Sequence, residues 1–432
     1  MSTATVWIDG VDVTAEAQAG SATRRLNRPS VASVTLPYDA SIGGAGSRLK
    51  IAFDGNLFFH GTILMCETDC DTESGTTVYN ATDPMEMWQW RPARDYDSIT
   101  PGNFVDPYFT KTIALGGKQT GPQMVQSMLQ ASENAALIPS AAEGPLFITF
   151  GGFAGGGIDL SGIPVNWPMT IMEVVSLLTS TGEVDVILTP IDAGGNMAQV
   201  DVYNGNHGTD RSGSVIFDFG MGSRNVQGVR WSEDMTSLRN KIQYFFTPKE
   251  TTRRYKANIT GDDPCLPGNL GNPGGPGGSI DPADDGATHP SWLAPGQLGK
   301  LIYSSRQQYG VRMAIETFDV DSIVSKQGCV TGAPTLGCCD CPDPTRVLFR
   351  KLWQIESWAS AQALEMVHVT PERDAEIATF DIGDLVGVNI SPTIRGGKSG
   401  VERVYEYTIS WDAEASVPAL SELVTSASQE GA

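Results

Sequence analysis

The stretch RLKIAFDGNLFFHGTILMCET, residues 48–68, decides the fold class. An apolar strand runs into Asp54-Gly55, the short-range signal of a two-residue hairpin turn, and a second strand follows from Leu57 to Leu64. The same device opens the chain. VWIDGVDVT (6–14) is a strand, an Asp9-Gly10 turn and a returning strand. In SVASVTLPY (30–38), Val31, Ser33 and Thr35 alternate with Ala32, Val34 and Leu36, which puts one apolar face on a core. TTVYNATD (76–83) adds a strand after a Ser74-Gly75 turn. Short strands joined by tight turns predict a small barrel or sandwich over the first ninety or so residues.

Working outward, the pattern changes between about 95 and 190. TGPQMVQSMLQASENAAL places Pro122 near a helix start, with Met124, Met128, Leu129 and Ala131 at helical spacing. MTIMEVVSLLTSTG is a cleaner helix: Thr170 and Glu173 form a capping box, Ile171, Val174, Val175 and Leu178 a stripe, and Gly182 a stop. Alternating strands return in EVDVILTPI, QVDVYN, SVIFDF, NVQGVRWSED and NKIQYFFTP. From 261 to 300 the chain is dense in Gly, Pro and Asp, without an apolar period, and reads as an exposed loop. A Cys-rich loop spans 328–344. A long helix follows, with Leu348, Leu352, Ile355 and Ala359 on one face, and then strands in MVHVTP, FDIGDLVGVNI and VERVYEYTISWD.

The expected fold is therefore mainly β with an α/β insertion: two small β-barrels, a helical crossover and long loops. Its expected divisions are a first barrel (1–94), an α/β insertion domain (95–192) and a second barrel from 193–260 and 368–420. A loop insertion (261–344), a helix (345–367) and a C-terminal tail (421–432) complete it.

Composition narrows the function. The chain of 432 residues carries 29 Lys and Arg against 50 Asp and Glu, a net charge of −21. That balance opposes a nucleic-acid-binding surface, which needs a basic stripe to displace counterions, and opposes docking on anionic lipid. Gly (48) and Pro (26) make about a sixth of the chain, as in turn-rich β proteins. The amino-terminal residues carry no basic, then apolar, secretion signal, and no run of apolar residues is long enough to span a membrane.

Catalytic signatures are missing from the sequence. No two of His60, His207, His289 and His368 are within five residues of each other, so no H-x-x-x-H pair exists. His60, in an apolar hairpin, reads as a structural histidine with its hydrogen bonds satisfied. Neither G-x-S-x-G nor a phosphate loop occurs; FGGFAGGGIDLSG (150–162) is a loop by context. The Asp-rich stretches 261–264 and 281–286 do not fit a calcium loop and read as solvated. Cys329, Cys338, Cys339 and Cys341 have spacings poor for zinc, so a disulfide-tied loop or free thiols fit better, and three connectivities stay open. Cys66 and Cys70 sit roughly 13 Å apart along one strand and cannot bond each other there. Trp88, Trp90, Trp353 and Trp358 have core-like spacings and read as buried. No catalytic residue, cofactor or metal is assigned.

The runs GVDVT, NRPSVASVTLP, LKIAFDGNLFFHGTI and TTVYNATDPMEMW resemble the amino-terminal barrel of phage tail-hub proteins. HVTPERDAEIATFDIGDLVGVNI and ERVYEYTISWDAEA resemble the closing barrel of minor tail proteins from long-tailed phages of actinobacteria. The resemblance covers about two thirds of the chain. It implies a non-enzymatic virion protein made in the host cytoplasm: a homotrimeric tail-tip (baseplate) hub. Such a hub has tube proteins above, tip or fibre proteins below, tape measure protein in its channel and no membrane anchor. Phage DNA passes through it during genome ejection without sequence-specific contacts. Two rival readings are a tail-associated cell-wall hydrolase and a carbohydrate-binding adhesin that uses its tryptophans.

Overall fold

The computed structural model describes residues 3–40, 42–71, 74–93, 120–136, 144–155, 169–180, 184–205, 207–220, 225–236, 238–247, 304–319, 364–372, 379–412 and 418–426. It also describes the backbone of short strands at 99–100, 103–104, 112–113, 165–166 and 255–257. The Cys-rich loop with Cys329, Cys338, Cys339 and Cys341, the 261–300 loop and the expected helix up to residue 363 lie outside the described residues.

The amino-terminal strands are β1 (Ala4–Ile8), β2 (Val11–Asp12), β3 (Ala19–Arg25), β4 (Val31–Pro37), β5 (Arg48–Phe53), β6 (Asn56–Cys70) and β7 (Gly75–Thr82). Both predicted hairpin turns form. Asp9 and Gly10 have φ of 48° and 80°, and Asp54 and Gly55 have 50° and 78°, the left-handed pair that a two-residue turn requires. In β4 the Ala32, Val34 and Leu36 face is buried and the Val31, Ser33 and Thr35 face half-buried, as the alternation predicts.

The middle of the chain holds β8 (Ile99–Thr100), β9 (Asn103–Phe104), β10 (Thr112–Ile113), α1 (Gly121–Ala136), β11 (Ile148–Phe153), β12 (Val165–Asn166), α2 (Ile171–Ser180), β13 (Val184–Ala193) and β14 (Asn196–Asn204). The capping box on α2 is reciprocal: the Thr170 amide donates to Glu173 at 2.6 Å and the Glu173 amide to Thr170 Oγ1 at 3.2 Å. A three-stranded sheet, β11-β14-β13, packs with the buried faces of α1 and α2 into one core. β14 thus belongs to the α/β unit, not to the second barrel expected from residue 193. Gly194 and Gly195, both at positive φ, fold it straight back onto β13.

Then come β15 (Ile216–Phe219), β16 (Val226–Asp234), β17 (Lys241–Thr247), β18 (Tyr255–Ala257), β19 (Met313–Asp319), β20 (Leu364–Pro371), β21 (Leu385–Ile390), β22 (Lys398–Asp412) and β23 (Ala419–Ser426). Three features correct the sequence reading. Residues 241–247 pair with β18 and β19 in a separate sheet. Residues 364–367 begin strand β20 and do not end a helix, because Val367 and Val369 alternate with His368 against the core. The supposed tail from 421 is strand β23, inserted between β20 and β22, with Leu420, Leu423 and Val424 buried. Its polar residues disguise it: Thr425 bonds Glu402 and Ser426 bonds the Glu365 carbonyl.

Thirteen of the described strands form one sheet, running β16-β20-β23-β22-β3-β4-β7-β6-β5-β1-β2, with β21 beside β22 and β15 beside β21. The seam between the two ends of the chain is the antiparallel ladder of β3 with β22, from Glu406↔Arg25 to Asp412↔Ala19. A string of edge-to-face aromatic rings crosses it: Trp411 to Phe53 at 5.7 Å, Phe53 to Phe58 at 5.0 Å, Phe58 to Tyr407 at 5.8 Å and Tyr407 to Phe380 at 5.4 Å. At Gly20 a β-carbon would lie 2.2 Å from the Trp411 ring, so only glycine lets that indole lie on β3. Gly20→Ala is expected to lower stability by about 1–3 kcal/mol through overpacking, read as a reduced urea midpoint at unchanged slope.

Candidate functional site

The most concentrated polar chemistry among the described residues lies where three parts of the chain meet. β13 is buried on both faces. Val184, Val186 and Leu188 turn to the helices, while Ile187 joins the core of the large sheet. Asp185 sits between them, a carboxylate with almost no solvent. Arg403 of β22 meets it, Nη2 to Oδ2 at 2.5 Å and Nη1 to Oδ1 at 3.3 Å, with both side chains buried.

The rest of the cluster satisfies what these two charges leave open. Asn27 Nδ2 donates to Asp185 at 3.3 Å, and Asn27 Oδ1 accepts the Val186 amide at 2.7 Å. The His207 amide donates to Asp185 at 2.7 Å, while Arg403 donates to the carbonyls of His207 and Gly383. Asn27 holds φ of 63°, a conformation asparagine tolerates because its side chain bonds locally. Gly208 approaches Gly383 so closely that a β-carbon there would sit 2.1 Å from the Gly383 oxygen. Desolvation and the guanidinium beside it hold the His207 imidazole below its usual value; its ring stacks on Tyr203 with centroids 3.9 Å apart.

A second cluster lies beside it. Arg24 bonds Asp381 at 2.9 Å, and Tyr407 donates to Asp381 at 3.1 Å. Burial pushes the Tyr407 phenol well up, against the pull of Arg24. Arg25 pairs with Glu406 at 2.8 Å and Arg211 with Asp384 at 2.8 Å. Arg24, His60 and Asp83 also line a cavity of about 10 Å³, room for one water and not for a substrate. His60 Nδ1 donates to the Ile191 carbonyl at 2.6 Å, the satisfied structural histidine that its apolar hairpin predicts. Burial holds its imidazole below the usual value. Burial raises Asp83 to about 6 although its carboxylate accepts from the Ser30 and Met85 amides at 2.9 Å each.

Other residues singled out in the sequence are dispersed. His368 pairs with Glu422 across β20 and β23 at 3.1 Å. His289 and the four clustered cysteines fall outside the described residues. Trp88 is fully buried, whereas Trp90 is 63% exposed and corrects the expectation of burial: it caps the short helical turn Pro84–Gln89 and points away from its core. Cys66 and Cys70 are free and exposed on β6. Among the described residues no group of three or more His, Cys, Asp or Glu could hold a metal ion, and no helix is long and apolar enough to cross a membrane. Sequence reading missed Asp185, Arg403 and Asn27; the one available signal was a carboxylate inside the apolar run EVDVILTPI.

What this geometry does is join: it fixes two strand sets and an α/β unit into one body. No protein-family model and no curated protein matches the sequence. Among solved structures, the 43 kDa tail protein of prophage MuSo2 from Shewanella oneidensis aligns over 100% of this chain and 99% of its own. Its identity is 14% and the TM-score 0.53. A tail protein from Neisseria meningitidis MC58 aligns over 98% and 96%, with 9% identity and a TM-score of 0.49. Prophage tail protein gp18 from Listeria monocytogenes EGD-e aligns over 99% and 95%, with 10% identity and a TM-score of 0.44. The fold is mainly β, and the MuSo2 tail protein shares it.

Two outcomes follow from the joint. Arg403→Met leaves Asp185 buried and unpaired and should cost about 3–5 kcal/mol, whereas adding Asp185→Leu should recover much of it, both read from urea midpoints. For Asp83, the folded value of about 6 lies above the unfolded 3.8, so the folded state binds the proton more tightly. The stability this contributes is complete below the unfolded value and is lost as pH rises through about 6. The stability of the wild type relative to Asp83→Asn should therefore fall by up to roughly 3 kcal/mol between about pH 4 and 7. A flat difference would contradict the shift.

Proposed function

We propose that the chain is a structural subunit of a phage tail hub, assembled as a homotrimer at the tail tip. The observation that carries this reading is the end-to-end alignment with the MuSo2 tail protein, which leaves almost nothing of either chain over. The joint supports it: buried ion pairs and packed aromatics make a stiff body, suited to bearing load and not to turning over a substrate. In this reading the amino-terminal strands and the carboxy-terminal strands act as two barrel-like modules per chain. Three chains present six modules to a six-fold tube, and closed symmetry covers their strand edges. Tube proteins lie above, tip or fibre proteins below, and tape measure protein and then DNA occupy the channel. The charge of −21 per chain keeps phosphates from adhering to its wall.

The test is assembly. Light scattering on purified protein should give three times 46.1 kDa, and negative-stain images should show a ring with a central hole. A stable monomer at micromolar concentration and above would overturn the hub reading. Release of soluble fragments from purified host cell wall would favour a hydrolase instead.

A further inference from the structure

Strand β6 is longer than its neighbour β5. The β5 ladder ends at Arg48↔Thr62, so among the described residues β6 is paired from Met65 to Cys70 with β7 alone. Every residue of that segment is exposed, Leu64 at 42% and Met65 at 51%. The backbone directions follow from two bonds. The Asp71 amide donates to Ser74 across the hairpin end, and the Gly75 carbonyl accepts from Tyr38 on the β4 side. Because directions alternate along a strand, Glu67 and Asp69 bond toward β7, while the amides and carbonyls of Cys66, Thr68 and Cys70 point out of the free edge. Such an edge is a template for another strand.

Its side chains are arranged symmetrically. Cys66 and Cys70 lie on one face, two residues either side of Thr68, and both thiols are free and exposed. We propose that this edge is a self-complementary docking strand for a second copy of the chain. Two copies pair antiparallel about Thr68, and Cys66 of each chain then faces Cys70 of the other. Facing residues in such a ladder have α-carbons about 5.5 Å apart, within the α-carbon range a disulfide spans, and closing the bond must draw the wider-set β-carbons of this hydrogen-bonded pair together by about 1 Å. Six main-chain hydrogen bonds form across the two-fold axis.

Magnitudes decide when the edges join. A single strand edge of this length falls well short of the roughly 1,200 Å² that stable interfaces bury, so the pair needs covalent help. Glu67 also faces Asp69 of the other copy, twice, and like charges directly opposite are destabilising. Reduced copies therefore leave this edge unpaired, whatever contacts they make elsewhere, and oxidation locks it. With a small-molecule disulfide as oxidant, a Cys66 thiolate attacks it, forming a mixed disulfide and releasing one thiol. The Cys70 thiolate of the second copy then attacks the Cys66 sulfur and expels the other thiol. Each cross-link thus oxidises two protein thiols and reduces one small disulfide to two thiols.

The experiment uses full-length protein with the five other cysteines replaced by serine, incubated with oxidised glutathione and run on non-reducing gels. A dimer band that dithiothreitol removes is expected. Cys66→Ser and Cys70→Ser alone should each lose at least ten-fold in dimer, since neither leaves a facing pair. Mixing the two variants should restore a singly bridged dimer. Glu67→Gln with Asp69→Asn should speed cross-linking at least three-fold at low salt, and circular dichroism checks that each variant is folded. No dimer, or single-cysteine variants that dimerise as well as the parent, would overturn the proposal, because 66–66 or 70–70 links signify random collision.

Discussion

The ladder of β3 with β22 is the constraint on which the rest depends. It joins residues as far apart as Thr23 and Thr408, whose hydroxyls lie 2.9 Å from each other across it. Closing so long a loop is not prohibitive, since the entropic penalty grows by only about 0.6 kcal/mol per doubling of length. It does mean that the ladder forms late and must be held by more than its backbone bonds. The aromatic string from Trp411 to Phe380 and the ion pairs of Arg24 and Arg25 provide that hold. Once it is in place, strands from the two ends of the chain lie in one sheet, on either side of this ladder.

A chain this acidic spends its few cations carefully. Arg403, Arg24, Arg25, Arg211 and Lys398 all meet carboxylates between the carboxy-terminal strands and their neighbours, and Lys398 touches both Glu365 and Glu402. The Arg403–Asp185 pair is the costliest to build, because both charges leave water, and it works only because Asn27, His207 and Gly383 satisfy what remains. Such a pair adds little net stability over apolar packing, but it admits a single arrangement of β13 against β22. That matters in a protein proposed to transmit force and alignment between neighbouring subunits. Glu67 and Asp69 carry the same acidity onto the exposed part of β6.

Much of the fold was legible in the residues. Asp9-Gly10 and Asp54-Gly55 announced their turns because few sequences tolerate two successive positive φ values. The Thr170–Glu173 box marked the start of α2, and the alternation in β4 marked its buried face. These are local rules with local causes. The errors have a common cause as well: β14 was assigned to the wrong module and β23 to a tail because strand partners are not encoded in a strand's own pattern. Trp90 looked buried from its neighbour Trp88, but a short helical turn sends adjacent side chains to different sides.

By itself, then, the sequence determined element types, turn chemistry, the mainly β class and the absence of recognisable catalytic motifs. Each of these depends on residues within a few positions of one another. Only the tertiary structure decided that Asp185 meets Arg403, that a polar-looking segment near the end is an interior strand, and that Leu64–Cys70 of β6 has no described strand on one side. Those facts depend on long-range pairing, where the burial of a charge or the exposure of an edge is a property of the whole fold.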